Sequence, residues 1–325
     1  MTRITSIVLI LIVTTAVIAA GCISSSANTS GTTGTTEGGK ITISGAFALY
    51  PMMVKWAEEY QKIHPGVRVE ISAGGAGKGM TDTLTGMVDL GMVSREISPD
   101  EAAKGAVWVA VTKDAVVPTA NAQNPVLADL QSKGVKKSVF KMIFINGSVK
   151  TWGDVVNRPE VTDKINVYTR SDSCGAADIW AKYMGYAQEN LLGIGIYGDP
   201  GLADAVKQDR LGTGFNNIGF AYDAETGRPL SGLAIIPLDL NENGKIDPDE
   251  QVYGTRAEIV NAINTGKYPS PPARELNVVA KERFTGPSKE FLQWVLTDGQ
   301  QYVQESGYIA LPKDRINQQL EKLNR

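Results

Sequence analysis

Lys40-Ile41-Thr42-Ile43-Ser44-Gly45-Ala46-Phe47-Ala48-Leu49-Tyr50-Pro51 alternates polar and apolar residues, stops on a glycine and then changes period. Period two followed by Pro51 and by Met53, Trp56 and Tyr60 at helical spacing predicts a strand, a tight turn and a helix that His64-Pro65-Gly66 ends. The pattern repeats at once. Val67 to Ser72 predicts a second strand, Ala73-Gly74-Gly75-Ala76-Gly77-Lys78-Gly79 a second glycine loop, and Met80 to Val88 a second helix. Asp89 to Ser94 predicts the third strand. This strand-loop-helix rhythm implies an α/β fold with parallel strands whose carboxyl ends carry the ligand-binding groups.

A third loop of the same kind, Arg170-Ser171-Asp172-Ser173-Cys174-Gly175-Ala176-Ala177, follows the strand-like Val167-Tyr168-Thr169 and precedes a helix over Asp178 to Met184. Free amides at a helix N-terminus, with the positive end of the dipole behind them, attract anions. Three such ends in one chain suggest a small oxyanion held mostly by backbone. Val107 to Val117 and Leu276 to Ala280 are apolar enough for central strands. Gly214 to Tyr222 is expected as a glycine-bounded strand, and a long helical tail as beginning near Ser288.

The ends set the compartment. Met1 to Ala20 carries Arg3 and then an apolar, threonine-containing run ending in small residues, as a secretion signal does. Ala19-Ala20-Gly21-Cys22 resembles a lipoprotein cleavage box with Ala19 where leucine is common, so Cys22 is the expected lipidation site; a plain secretory signal and an uncleaved anchor are the alternatives. Ile23 to Gly39, rich in Ser, Thr and Gly, cannot bury enough surface to fold and is expected to be a tether. The 325 residues carry a net charge of −3, which gives no basis for nucleic-acid binding. One histidine, His64, makes histidine-based metal sites and a Ser-His-Asp triad poor candidates.

Taken in order, Ser44 to Pro51, Gly74 to Gly79, Val88 to Arg95, Arg170 to Ala176, Gly266-Lys267-Tyr268-Pro269, Gly299 to Val303 and Gly307 to Pro312 resemble the phosphate-binding branch of the type II periplasmic-type binding proteins of ABC importers. The resemblance implies two lobes, each a mostly parallel sheet flanked by helices, joined by two crossover segments. The first lobe is expected over 40–117 and 277–325 and the second over 118–276, with hinges near Val117 to Asn121 and Pro272 to Leu276. It also implies a monomer, not an enzyme, that encloses phosphate and delivers it to a permease at the outer face of the cell membrane. Carried over position by position, the ligand contacts fall on Ala48, Leu49, Ala76, Gly77, Ser94, Arg170, Asp172, Cys174, Gly175 and Ala176. Asp172 lies where a carboxylate would hold the arginine or accept a proton from hydrogen phosphate.

The chain departs from that family at Ala76, Cys174 and Ala176, where side-chain hydroxyls are usual. About three donors are lost, each worth about 1.5–3 kcal/mol to a charged partner. Either the nearby Ser44, Ser72, Ser171 and Ser173 compensate, or the anion is different or larger, with tungstate, molybdate and sulfate the rivals. Gly77-Lys78 fails as a nucleotide P-loop because Ser72 and Gly79 stand where glycine and Ser or Thr are needed. Cys174 beside Arg170 raises the alternative of an extracellular phosphatase with a thiol nucleophile, though no base is evident.

Asp239-Leu240-Asn241-Glu242-Asn243-Gly244-Lys245-Ile246-Asp247-Pro248-Asp249-Glu250 matches the twelve-residue EF-hand calcium loop at each defining position. Asp239, Asn241, Asn243, the Lys245 carbonyl, Asp247 and Glu250 are the expected Ca2+ ligands. The strand-like Leu233 to Leu238 before it predicts a lone stiffening loop rather than a sensor hand.

Overall fold

The computed structural model describes residues 39–325. The expected secretion signal, Cys22 and the expected tether up to residue 38 lie outside the described residues. Among the described residues there are eleven strands: β1 (Lys40–Gly45), β2 (Arg68–Ala73), β3 (Leu90–Val93), β4 (Ala106–Asn121), β5 (Val135–Lys136), β6 (Asn166–Arg170), β7 (Ile194–Ile196), β8 (Gly212–Asn217), β9 (Leu233–Ile235), β10 (Leu238–Asp239) and β11 (Ala273–Lys281). Nine form one curled sheet in the order β2-β1-β3-β11-β4-β8-β6-β7 with β9 also on β4, and β5 pairs β10 apart from it.

The sheet is parallel at its two wings and antiparallel in the middle. β2 and β3 run parallel to β1, and β7 and β8 parallel to β6, as the strand-loop-helix repeats require. β11 runs antiparallel to both β3 and β4, and β4 antiparallel to β8. The two crossovers are therefore not loops between lobes. They are the long strands β4 and β11, which pass unbroken from one half to the other.

Each half has its own core. The first gathers Trp56, Tyr60, Met92, Val111, Leu276, Phe291 and Val303; the second gathers Ala115, Phe140, Phe144, Trp152, Trp180, Phe215 and Ala273. Phe144 and Trp180 meet edge to face at 5.8 Å. Full burial of one such large apolar side chain contributes about 1.5–3 kcal/mol, so both halves are substantial. The change of core falls between Val111 and Ala115 on β4 and between Ala273 and Leu276 on β11. Asp114 and Arg274 face each other in register at that point.

Other boundaries move by local chemistry. β8 ends at Asn217, where a short helix Ile218–Ala221 begins, and Pro237 separates β9 from β10. The C-terminal segment forms three helices, Gly286–Leu296, Gln301–Glu305 and Lys313–Leu323, instead of one long tail. Ile309, between the last two, pairs with Lys113 of β4 and packs in the second core.

Candidate functional site

The three glycine loops fold as strand-to-helix turns at the carboxyl ends of β1, β2 and β6. Helices Tyr50–Ile63, Ala76–Leu84 and Gly175–Met184 start there, earlier than the apolar periodicity alone predicts for the last two. Gly45 has a φ of 131°, and a Cβ on Gly45 or Gly79 would strike the other's Cα or the Met92 carbonyl. Only glycine allows the first two loops to approach β3 this closely. Among the described residues, the amides of Ala48, Ala76, Gly175 and Ala176 meet no acceptor. They are the orphan donors of three helix starts.

Arg170 closes β6 with its side chain fully buried. Its Nε donates to Asp172 Oδ1 at 2.8 Å and its Nη2 to Asp172 Oδ2 at 2.6 Å, a bidentate pair. Its Nη1 donates to Asp199 Oδ2 at 2.5 Å. Of the five guanidinium N–H groups these bonds take three, leaving one on each terminal nitrogen. Burial works against the guanidinium charge, but the carboxylates of Asp199 and Asp172 outweigh it and raise its pKa. The cation is permanent.

Contacts between the halves close around this group. The Phe47 ring lies 5.5 Å from the Arg170 guanidinium carbon and meets Tyr197 edge to face at 5.8 Å. The Gly77 amide donates to the Ser173 carbonyl at 3.1 Å, so it is not free for a ligand in this conformation. Gly175 packs on Ser94 so tightly that a Cβ there would collide with the Ser94 carbonyl. Lys182 Nζ pairs with Glu96 Oε2 at 3.0 Å on the rim. Tyr308 fixes the first loop by donating to the Ala48 carbonyl at 2.7 Å.

The structure thus gathers Ala48, Leu49, Ala76, Gly77, Ser94, Arg170, Asp172, Cys174, Gly175 and Ala176 on the loops where the halves meet. Of the four serines considered as replacement donors, Ser44 is spent: its hydroxyl donates to Asp82 Oδ2 at 2.7 Å, and Lys78 binds the same carboxylate. Asp172 gives both oxygens to Arg170 and takes the Gly198 amide at 3.2 Å as well.

Cys174 serves as a helix cap. Its Sγ accepts from the Ala177 amide at 3.4 Å, the place a serine hydroxyl would take. Burial pushes the thiol up to about 12, despite the pull of Arg170, so it stays a neutral thiol at physiological pH. That is the opposite of an activated nucleophile.

Sequence reasoning missed Asp199, Phe47, Asn217 and Arg274. Asp199 opens the helix Gly198–Gln208, and Gly198-Asp199-Pro200 is a fourth glycine-bearing helix start that periodicity could have found. Asn217 Nδ2 donates to Asp199 Oδ1 at 2.6 Å, and Arg274 binds Asn217 Oδ1 and, through Nε at 3.1 Å, the Ser94 carbonyl. These residues lie far apart in sequence, and no spacing rule connects them.

In the acidic loop, Asp239 Oδ2 accepts from the Gly244 amide at 2.8 Å and Oδ1 from the Asn243 amide at 3.1 Å. Glu250 accepts from the amides of Leu240 at 2.8 Å and Asp247 at 3.0 Å. Glu242 and Gly244 both adopt positive φ, 58° and 84°. Among the described residues, no three His, Cys, Asp or Glu side chains converge closely enough to hold a metal alone. Asp247 instead receives Lys245 Nζ at 2.7 Å and the side-chain amides of Asn241 and Asn243.

Comparison with known proteins agrees with this fold. A family model described as a PBP superfamily domain matches residues 30–298. A phosphate-binding protein PstS of Methanocaldococcus jannaschii is 28% identical over 327 aligned positions, covering 80% of this chain and 79% of that protein. The Bacillus subtilis phosphate-binding protein PstS is 26% identical over 280 positions, covering 86% and 83%. A Clostridium perfringens protein crystallised with bound phosphate superposes with a TM-score of 0.67 at 21% identity, covering 84% of this chain and all of that one, 100%. The chain belongs to the PBP superfamily domain family.

Proposed function

We propose that this protein is an extracytoplasmic binding protein that encloses inorganic phosphate between its two halves and delivers it to an ABC importer. One observation carries the reading: a buried arginine with one N–H left on each terminal nitrogen, at the junction of three helix starts whose amides include unpaired donors. A bidentate guanidinium and dipole-backed amides are the chemistry that recognises a tetrahedral oxyanion. The relatives' names as phosphate-binding proteins support the same reading.

The choice among anions rests on charge. Arg170 is matched by two buried carboxylates, Asp172 and Asp199, so the side chains nearest the ligand do not offer net positive charge. A fully deprotonated sulfate, molybdate or tungstate meets those carboxylates with repulsion alone. Hydrogen phosphate carries a proton that it can donate to one of them, and Asp172 is the expected acceptor. Burial multiplies the difference, because an unmatched acceptor pair inside a protein costs about 1–3 kcal/mol or more.

Binding as we picture it is hinge closure about β4 and β11. The halves bring Ala48, Leu49, Ala76, Gly77 and Ser94 against Arg170, Cys174, Gly175 and Ala176, and the dry cleft replaces the anion's water. The Gly77 amide, now on Ser173, is then available to exchange partners. Secretion and lipid attachment at Cys22 complete the reading, as does action as a monomer. No helix among the described residues is long and apolar enough to cross a membrane.

We further propose that residues 239–250 hold one Ca2+. The carboxylates of Asp239, Asp247 and Glu250, the amide oxygens of Asn241 and Asn243 and the Lys245 carbonyl are oxygen donors of the type and order calcium takes. Asp239 and Glu250 are already buried and anchored by loop amides. Asp247 would exchange Lys245 and the two amides for the ion. Both readings are tested together by titrating phosphate, sulfate, molybdate and tungstate with calcium fixed, then calcium alone.

A further inference from the structure

We propose that Arg274, on the crossover strand β11, is a positioning residue for the anion site, acting on both halves at once through a buried chain of hydrogen bonds. The inference rests on the oxyanion-binding reading above.

The chain can be followed atom by atom. Arg274 is 8% exposed and sits in register with Asp114 where the sheet passes from one core to the other. Its Nε donates to the carbonyl of Ser94, a contact residue of the first half, at 3.1 Å. Its Nη2 donates to Asn217 Oδ1 at the end of β8 in the second half. Asn217 turns its Nδ2 to Asp199 Oδ1 at 2.6 Å, and Asp199 Oδ2 holds Arg170 Nη1 at 2.5 Å. Four links join the backbone of Ser94 to the guanidinium of Arg170.

Two further features separate this role from plain scaffolding. Arg274 Nη1 has no hydrogen-bond partner and lies 3.8 Å from Asp114 Oδ2, whose carboxylate oxygens are also without partners. The residue therefore forgoes its best ion-pair geometry while its other two nitrogens bridge the halves. The Ser94 carbonyl also abuts Gly175, so its placement sets how closely the first half seats on the third helix start. Moving Arg274 moves Ser94, Gly175 and Arg170 together, which is how a residue outside the ligand shell controls the shell.

The experiment is calorimetric titration of the full protein with inorganic phosphate for wild type, Arg274→Lys, Asn217→Ser and the double variant, with unliganded melting temperatures alongside. Lysine keeps the charge opposite Asp114 but lacks the planar fork that binds two acceptors at fixed angles. Each single variant is expected to weaken phosphate binding about tenfold or more, as loss of a hydrogen bond to a charged group does, with melting within a few degrees of wild type. The double variant is expected to be no weaker than the worse single one, because both break the same chain. Affinity within about twofold of wild type in both singles, or losses that multiply in the double variant, overturns the inference. Should Arg274→Lys fail to fold, Asn217→Ser decides on the affinity criterion alone. A wild type that binds none of the oxyanions removes the underlying reading and this inference with it; binding wild type with unaffected variants removes the inference only.

Discussion

Arg170 Nη1 donates to Asp199 Oδ2 at 2.5 Å, joining the end of β6 to the start of the helix Gly198–Gln208. Together with the bidentate bond to Asp172 it fixes the guanidinium plane before any ligand arrives, so little side-chain entropy is lost on binding. Removing the arginine strands two buried carboxylates. Arg170→Gln is predicted to abolish measurable phosphate binding and to lower stability by about 3–5 kcal/mol, read by calorimetry and by denaturant unfolding.

Asp199→Asn tests the charge argument for selectivity. It deletes one of the two carboxylate charges and leaves one amide oxygen, able to accept from only one of Arg170 and Asn217, which both donate to Asp199. Sulfate binding is predicted to strengthen relative to phosphate by about tenfold, the effect of roughly 1.4 kcal/mol. An unchanged ratio would mean that Asp199 does not take part in discrimination.

Cys174→Ser restores a hydroxyl at the cap of helix Gly175–Met184. Serine is a far better N-cap than a neutral thiol, so stability is predicted to rise by about 0.5–1 kcal/mol. Phosphate affinity is predicted to hold or increase, since a donor is added next to the free amides of Gly175 and Ala176. Loss of binding would instead point to chemistry that needs sulfur.

Asp114 predicts a pH dependence. Burial pushes its carboxyl up to about 7, more than the pull of Arg274 and the nearby Ala115 and Ile218 amides can offset. In the unfolded chain it titrates near ~3.9, so the folded state binds the proton more firmly. The stabilisation is full below about pH 4 and is lost as pH rises through about 7, a total of roughly 4 kcal/mol at ~1.4 kcal/mol per unit. Melting temperature is predicted to fall over that window and Asp114→Asn to flatten the fall.

Calcium is predicted to raise the melting temperature of the wild-type protein and not that of Glu250→Gln, measured by thermal shift with and without a chelator. A tenfold excess of calcium over its dissociation constant corresponds to about 1.4 kcal/mol. Equal melting curves with and without calcium would remove the ion from the account.

Much of this architecture was legible because its signals are local. A strand of period two, a glycine and a helix of period 3.6 identify each loop within a dozen residues, while the contact positions inside the loops, Ala48, Gly77, Arg170 and Gly175 among them, are what the family resemblance implies. The crossovers were harder: β4 runs straight through Lys113 and Asp114, so no break in apolar character marks the passage between halves. Those two charges inside an apolar run were themselves the sign of a special position. Asp199, Asn217 and Arg274 meet only because β8, β11 and the helix after β7 converge in space, and contacts of that range leave no periodicity to read. The hydroxyl of Ser44 is likewise engaged by Asp82, a partner that no local pattern in the sequence announces.

Isothermal titration of the full protein with phosphate tests the central claim most directly. The account predicts one saturable site, tighter for phosphate than for sulfate, molybdate or tungstate and absent in Arg170→Gln. Tight binding of tungstate without phosphate would contradict the choice of ligand, and no binding of any oxyanion would contradict the account of the site itself.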